Sequence, residues 1–154
     1  MKKLLFTTLF LIISLITFSQ GFSEYNTKSM KSIMQAMYTI VDAVETQNGY
    51  EIVRLEFDII QKEPKETYRI LSSDWTYRVG VIGEFDKAED MDIEIYKQLD
   101  DGTFQLVIKD IKAESSAFVD FTPNTNGWYK FVIKCYKFQS GWDKCHYGLI
   151  VLHQ

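Results

Sequence analysis

Alternation of apolar and polar residues is the feature that most constrains the fold of this chain. Beyond Gly49, eight short segments repeat this alternation, and turn-forming residues separate them. Successive side chains of a β-strand point to opposite faces, so each segment is predicted to be a strand with one buried face. The segments are Val53–Ile59, Thr67–Ile70, Trp75–Val81, Met91–Ile95, Phe104–Lys109, Ala117–Phe121, Trp128–Phe138 and Trp142–His153.

The connections between these segments favour an antiparallel arrangement. Asp100-Asp101-Gly102 is a strong hairpin turn, and no crossover helix lies between the segments, which argues against a parallel sheet. Eight strands that each bury one face need two sheets packed face to face, or a closed barrel. We therefore predict one mainly β, antiparallel, eight-stranded domain over residues 49–154.

The first 19 residues have the layout of a secretory signal peptide. Lys2 and Lys3 precede an apolar run from Leu4 to Phe18, and cleavage before Gln20 would place small residues at the expected positions. A membrane anchor is the alternative, although the run is short for a membrane span. We predict export to the periplasm, cell surface or medium, with no membrane span after removal of the signal.

Residues 20–48 are predicted to contain one amphipathic helix, Glu24–Gln47. Apolar residues recur there at steps of three and four, among them Met30, Met34 and Met37. We expect this helix to pack on or beside the strands. Methionine is also an adaptable contact residue, so a Met-rich helix face that docks a partner is the alternative.

The two cysteines are predicted to form a disulfide. If Trp128–Phe138 and Trp142–His153 pair as a hairpin in which Phe138 faces Trp142, then Cys135 lies opposite Cys145. An exported protein is exposed to an oxidising environment. A metal or redox pair is the alternative, but the spacing of the two cysteines matches neither zinc nor thioredoxin motifs.

Candidate catalytic and metal-binding residues are few. His146 and His153 fall on the outward side of the last strand, where we expect them to be exposed, and no GxSxG or HExxH motif occurs. The acidic run Glu84–Asp92 is interpreted as a solvated loop, with a weak calcium site as the alternative; it lacks the spacing of an EF-hand loop. We predict no enzyme activity, no cofactor and no defined metal site.

Exposed aromatic residues are the candidates for ligand contact. Trp128 and Tyr136 lie on the side of their strand away from the cysteines, and Trp142 lies at the predicted hairpin end. Such rings could stack on sugar rings or hold an apolar peptide. Alternatively, the helix covers this face and the rings belong to the core. The net charge of −4, which loss of Lys2 and Lys3 makes more negative, argues against nucleic acid as the partner.

Roughly the last 80 residues resemble the bacterial pre-peptidase C-terminal domain family. The likeness lies in SSDWTYRVGV (Ser72–Val81), DMDIEIYKQLDDG (Asp90–Gly102), FTPNTNGWYKFVI (Phe121–Ile133) and the ending C…CHYGLIV (Cys135–Val151). The resemblance implies a non-catalytic β-sandwich of jelly-roll type, a fold that relatives append to secreted hydrolases. Some members of the family bind polysaccharide or matrix protein, and some bind calcium, so the resemblance implies these as candidate ligands. We expect the module to stand alone, without the attached enzyme that is common in the family.

Together these observations predict an exported, non-catalytic binding module. Its expected ligand is an extracellular or envelope polymer, either a polysaccharide or a matrix protein, or else a partner protein. One alternative is a structural protein of the cell envelope that assembles through its Met-rich helix. Another is a calcium-binding accessory domain.

Overall fold

The computed structural model describes residues 27–46 and 49–154, and they form one helix and eight strands. The predicted signal peptide, and residues 24–26 and 47 of the predicted helix, lie outside this described part. The elements are α1 (Thr27–Glu45), β1 (Glu51–Ile60), β2 (Lys65–Leu71), β3 (Tyr77–Gly83), β4 (Ala88–Gln98), β5 (Phe104–Asp110), β6 (Ser116–Phe121), β7 (Gly127–Phe138) and β8 (Cys145–His153).

The strands form two four-stranded antiparallel sheets packed face to face. Sheet I has the order β1-β8-β3-β6, and sheet II has the order β2-β7-β4-β5. This order is that of a jelly roll, in which most consecutive strands cross from one sheet to the other. The predicted fold class, an eight-stranded antiparallel β-sandwich with one N-terminal helix, is confirmed.

Only β4 and β5 are neighbours both in sequence and within a sheet. They are joined at the turn predicted from Asp100-Asp101-Gly102, where Gly102 has a φ of 82°. The Leu99 amide donates to the Thr103 carbonyl at 2.8 Å, and the Asp101 carboxylate accepts from the Thr103 amide at 2.9 Å. Glycine adopts this left-handed conformation without steric cost, which explains why the turn falls there.

The core lies between the two sheets and includes the side chains that the alternation assigned to one face of β7 and β8. They are Tyr129, Phe131, Ile133, Cys135, Cys145, Tyr147, Leu149 and Val151, and all eight are buried in a single cluster. The predicted pairing of these strands is wrong, however. β7 pairs with β2 and β4, and β8 pairs with β1 and β3, so the two sets of side chains meet across the sandwich.

Helix α1 packs on the outer face of sheet I, mainly over β8. Ile33, Met37 and Val44 are buried against Ile150 and Leu152. Because β8 has the core on one face and the helix on the other, every residue from Cys145 to Leu152 is buried. The helix is therefore part of the domain and covers sheet I, while the outer face of sheet II lies on the opposite side of the molecule.

The close approach of the helix to β8 depends on Gly148. A Cβ atom at this position would lie 2.8 Å from Cγ of Met37 and 3.3 Å from Cγ2 of Ile33.

No helix in the described part of the chain has the length and apolarity needed to cross a membrane.

Candidate binding surface on the outer face of sheet II

The outer face of sheet II carries a group of apolar and aromatic side chains at one end of its strands. The strand register sets Tyr68, Lys130, Tyr96 and Leu106 side by side across the four strands. In the next row, Ile70 lies opposite Trp128, and Phe104 lies opposite Gln98. We call the six apolar and aromatic residues of these two rows the sheet II platform: Tyr68, Ile70, Tyr96, Phe104, Leu106 and Trp128.

The platform is accessible to solvent although its residues are large and apolar. The exposed fractions are 61% for Ile70, 48% for Trp128 and 44% for both Tyr68 and Leu106. Four strands at the usual spacing make a surface roughly 14 Å wide, and two rows of side chains lie roughly 7 Å apart. A contiguous exposed apolar patch on a folded domain indicates an interaction site.

Two tyrosines of the platform are fixed by carboxylates on their own strands. The Tyr68 hydroxyl donates to Glu66 at 2.7 Å, and the Tyr96 hydroxyl donates to Glu94 at 2.5 Å. Each carboxylate is two residues before its tyrosine, so each ring must extend along its strand rather than away from the sheet. The hydrogen bond to Glu94 raises the pKa of Tyr96 to about 12, and the phenol stays protonated at neutral pH.

Lys130 holds the centre of the platform together. Its ammonium lies 4.7 Å from the centre of the Phe104 ring and 5.2 Å from that of Tyr96, and it is 3.1 Å from the Glu66 carboxylate. The Tyr68 and Phe104 rings meet edge to face with their centres 5.9 Å apart. These contacts pre-organise the rings, which reduces the entropy lost when a ligand binds.

Charged residues continue the same face beyond the platform, and their charges balance. Lys134 lies 2.7 Å from Glu94, and Glu94 and Asp92 stand beside Lys109 and Lys134 in the register. Burial raises the pKa of Glu94, but the hydrogen bonds from Lys134 and Tyr96 outweigh burial and lower it. Together with Lys130 and Glu66, these residues are three lysines and three carboxylates, so the charges nearest the platform are balanced.

The three aromatic residues predicted to contact a ligand are not brought together. Trp128 belongs to the platform, whereas Tyr136 lies eight residues further along β7, roughly 26 Å away at the usual rise per residue. Tyr136 is 74% exposed. Trp142 lies in the loop between β7 and β8, where its ring is 4.6 Å from the ammonium of Lys87. Tyr136 and Trp142 are therefore at the opposite end of the molecule from Trp128.

The other members of the platform were not predicted, because the apolar residues of their segments, such as Tyr68 and Ile70, were expected to form the buried face of each strand. Tyr68 and Ile70 on the edge strand β2 point outward, and Leu71 is the buried apolar residue of that strand. The sequence did contain one signal that this face is exposed. Glu66 comes two residues before Tyr68, and Glu94 comes two residues before Tyr96. A carboxylate placed two residues from a tyrosine on one strand face marks that face as polar.

The acidic run was wrongly interpreted as a solvated loop. Glu84 is 1% exposed, Asp92 is 4% exposed, and residues 88–92 belong to β4. The Glu84 carboxylate accepts hydrogen bonds from Lys87 at 2.9 and 3.0 Å and from the His146 amide at 2.8 Å. Nδ1 of His146 lies 3.2 Å from the same carboxylate. His146 is thus buried, contrary to the prediction that both histidines are exposed.

This cluster of Glu84, Lys87 and His146 joins the β3–β4 loop to β8. Burial alone would raise the pKa of Glu84, but the hydrogen bonds from Lys87 and from His146 outweigh burial and lower it. The Lys87 carbonyl also accepts from the Gln139 amide at 2.8 Å, which attaches the β7–β8 loop. Through these contacts the cluster holds the β3–β4 and β7–β8 loops against the end of the sandwich.

Asp92 is the other buried carboxylate of the run, and Asp90 is partly buried. Each has one oxygen that is buried and without a hydrogen-bond partner. Burial raises the pKa of both, and the negative charge of Asp90 raises that of Asp92 further. Among the described residues, no three or more histidine, cysteine, aspartate or glutamate side chains are arranged to hold a metal ion.

Comparisons with known proteins identify no family for this chain. No family model matches the sequence, and a search of curated proteins gives no match either. The crystal structure of a mitogen from Yersinia pseudotuberculosis matches at 11% identity and a TM-score of 0.49, over 66% of this chain and 84% of that one. A periplasmic inhibitor of g-type lysozyme from Aeromonas hydrophila, PliG, matches at 8% identity and a TM-score of 0.49, over 70% of this chain and 90% of the inhibitor. Likeness at this level carries no information about the ligand.

Proposed function

We propose that this chain is an exported, non-catalytic binding module that holds a neutral polysaccharide on the sheet II platform. The observation that supports it best is the exposure of Tyr68, Ile70 and Trp128 on the sheet that α1 leaves uncovered. Large apolar side chains are costly to leave in water on a stable domain. A ligand that covers them would recover that free energy.

The chemistry of the platform suits sugar rings. The C–H faces of a pyranose are apolar and flat, so they can pack on aromatic rings, while its hydroxyls need hydrogen-bonding partners at the edges. Glu66, Glu94 and Lys130 supply such groups beside the rings of Tyr68 and Tyr96. A flat sheet face, rather than a closed pocket, accommodates an extended polymer.

The balanced charge of the face favours a neutral polymer over an acidic one. Lys130 is paired with Glu66, and Lys134 is paired with Glu94. An anionic polymer would have to compete with these carboxylates for the lysines and would be repelled by them.

The same proposal includes two further points: the chain does not act as an enzyme, and it is exported. The Glu84–Lys87–His146 cluster favours a structural role, because its groups are bound to one another at the end of the sandwich. The first 19 residues support export, and the resemblance to the pre-peptidase C-terminal domain family supports a polymer-binding module.

Retention on insoluble polysaccharides tests the proposal. Full-length mature protein is mixed with cellulose, chitin, xylan and peptidoglycan sacculi, and the bound fraction is measured after washing. We expect retention on at least one neutral polymer, and Trp128→Ala and Tyr68→Ala should each weaken it roughly 5- to 150-fold, since loss of a stacked ring costs about 1–3 kcal/mol in comparable contacts. Melting temperatures should change little because both side chains are exposed.

Tyr136→Ala is the matched control, since Tyr136 lies on the same face of the same strand but far from the platform. It should bind as the wild type does. Retention of the wild type on none of the neutral polymers cellulose, chitin and xylan, or on the charged peptidoglycan sacculi alone, would contradict the proposal, as would equal losses for Tyr136→Ala and Trp128→Ala.

A further inference from the structure

Cys135 and Cys145 meet inside the sandwich at the end where β7 leads to β8. Cys135 lies opposite Met91 in sheet II, and Cys145 lies opposite Ile60 in sheet I. Both side chains are buried, with exposed fractions of 7% and 2%. Both thiols are free in this structure, belong to the same buried cluster of the core, and are close enough for each to shift the pKa of the other. The thiol pair therefore spans the interface between the two sheets.

We infer that this thiol pair is an oxidation site that forms a disulfide between the two sheets, not within one hairpin. Side chains in van der Waals contact have heavy atoms about 4 Å apart, and a disulfide needs its sulfurs about 2.05 Å apart. Rotation of the two side chains about their Cα–Cβ bonds covers a difference of this size. The six-residue connection Gln139–Lys144 brings the sheets together at this end of the molecule.

The neighbouring residues make Cys135 the thiol that reacts first. It is the more exposed of the two, and the hydrogen bond from Cys145 lowers its pKa, which favours the thiolate. The hydrogen bond to Cys135, together with burial, raises the pKa of Cys145. The Cys135 thiol also contacts the Lys137 carbonyl at 3.4 Å.

The oxidation requires a disulfide oxidant such as oxidised glutathione. The Cys135 thiolate attacks one glutathione sulfur, forms a mixed disulfide and releases one glutathione thiolate. Cys145, after losing its proton, attacks the Cys135 sulfur and releases the second glutathione. Two protein thiols are oxidised to one disulfide, and one oxidised glutathione is reduced to two glutathione molecules.

The cross-link would close an 11-residue loop that carries Trp142 and would tie β7 of sheet II to β8 of sheet I. In the chain-entropy model, a loop of this size stabilises a domain enough to raise its melting temperature by roughly 10 °C. The effect does not depend on a ligand, so it can be tested separately from the proposed function.

The test begins with fully reduced wild-type protein in native buffer. Excess oxidised glutathione is added, the reaction is quenched in acid, and intact mass is measured after alkylation in denaturant. We expect a product two hydrogens lighter than the reduced protein, with no alkylated thiol and no glutathione attached, and a melting temperature about 10 °C higher. Cys145→Ser should stop at one glutathione adduct or not react, and should show no such rise.

Three results would overturn the inference. The first is a product that carries two glutathione adducts instead of an internal disulfide. The second is an internal disulfide that forms only when urea is added, which would mean that the native fold prevents this oxidation. The third is an oxidised form that melts at or below the temperature of the reduced form.

Discussion

Replacement of Lys87 by methionine tests the Glu84–Lys87–His146 cluster most severely. The side chains of Lys87 and Glu84 are 11% and 1% exposed, so this ion pair is buried. Methionine keeps most of the volume and removes the charge. Breaking one side of a buried pair costs about 3–5 kcal/mol, because the remaining charge stays buried without its partner. Glu84 keeps its hydrogen bonds from His146, which places the expected loss at about 3 kcal/mol.

The dependence on pH gives this prediction a second, independent readout. Glu84 has a folded-state pKa below its usual value, so its interactions stabilise the wild type at neutral pH and are lost as the pH falls through that lowered pKa. Without Lys87, burial is less opposed and the pKa of Glu84 rises. The difference in stability between Lys87→Met and the wild type should therefore be largest near pH 7. It should shrink as the pH falls, first through the raised pKa of Glu84 in the variant and then towards its lowered pKa in the wild type.

Urea unfolding followed by circular dichroism at pH 7 and pH 4 measures both quantities. Lys137→Met is the matched control, because Lys137 pairs with Glu89 at the surface, where their side chains are 63% and 40% exposed. Exposed pairs contribute at most about 1 kcal/mol. A loss for Lys87→Met no larger than that of the control, or one that does not change with pH, would refute the account of a buried, interdependent cluster.

Two further changes test other parts of the structure. Gly148→Ala should destabilise the domain by about 1–3 kcal/mol in thermal unfolding, because the new Cβ would collide with Met37 and push α1 away from sheet I. An unchanged melting temperature would mean that the helix does not pack closely on β8. Asp92→Asn should raise the urea midpoint at pH 7, because burial raises the pKa of Asp92 and its charge is therefore unfavourable in the folded state at neutral pH. The variant should lose this advantage as the pH falls and Asp92 of the wild type becomes protonated. A lower midpoint at pH 7 would show that the carboxylate is stabilising.

Much of the fold could be predicted from alternation, because alternation fixes which side chains share a face. All eight inward residues of β7 and β8 are buried as expected, and the Asp100-Asp101-Gly102 turn joins β4 to β5. Alternation does not fix which strand is the partner. The same inward pattern fits two strands side by side and two strands facing each other across a core, and for that reason the predicted β7–β8 hairpin was wrong.

The candidate site was less predictable because exposure depends on what packs over a strand. Trp128 and His146 both lie on outward positions of long strands, yet Trp128 is half exposed and His146 is buried. One difference is that His146 contacts Glu84, which comes from a loop more than 50 residues away in sequence and accepts a hydrogen bond from the His146 amide. The acidic run likewise gave no sign that Glu84 would be covered and paired.

The location of the bound polymer tests the central claim most directly. Hydroxyl-radical footprinting by mass spectrometry compares the free protein with protein bound to a polysaccharide that retains it. The account predicts protection of Tyr68, Ile70 and Trp128, with Tyr136, Trp142 and the exposed helix residues Met34 and Tyr38 oxidised equally in both states. Protection confined to Tyr136 and Trp142, or to Met34 and Tyr38, with the sheet II platform unchanged, would contradict it.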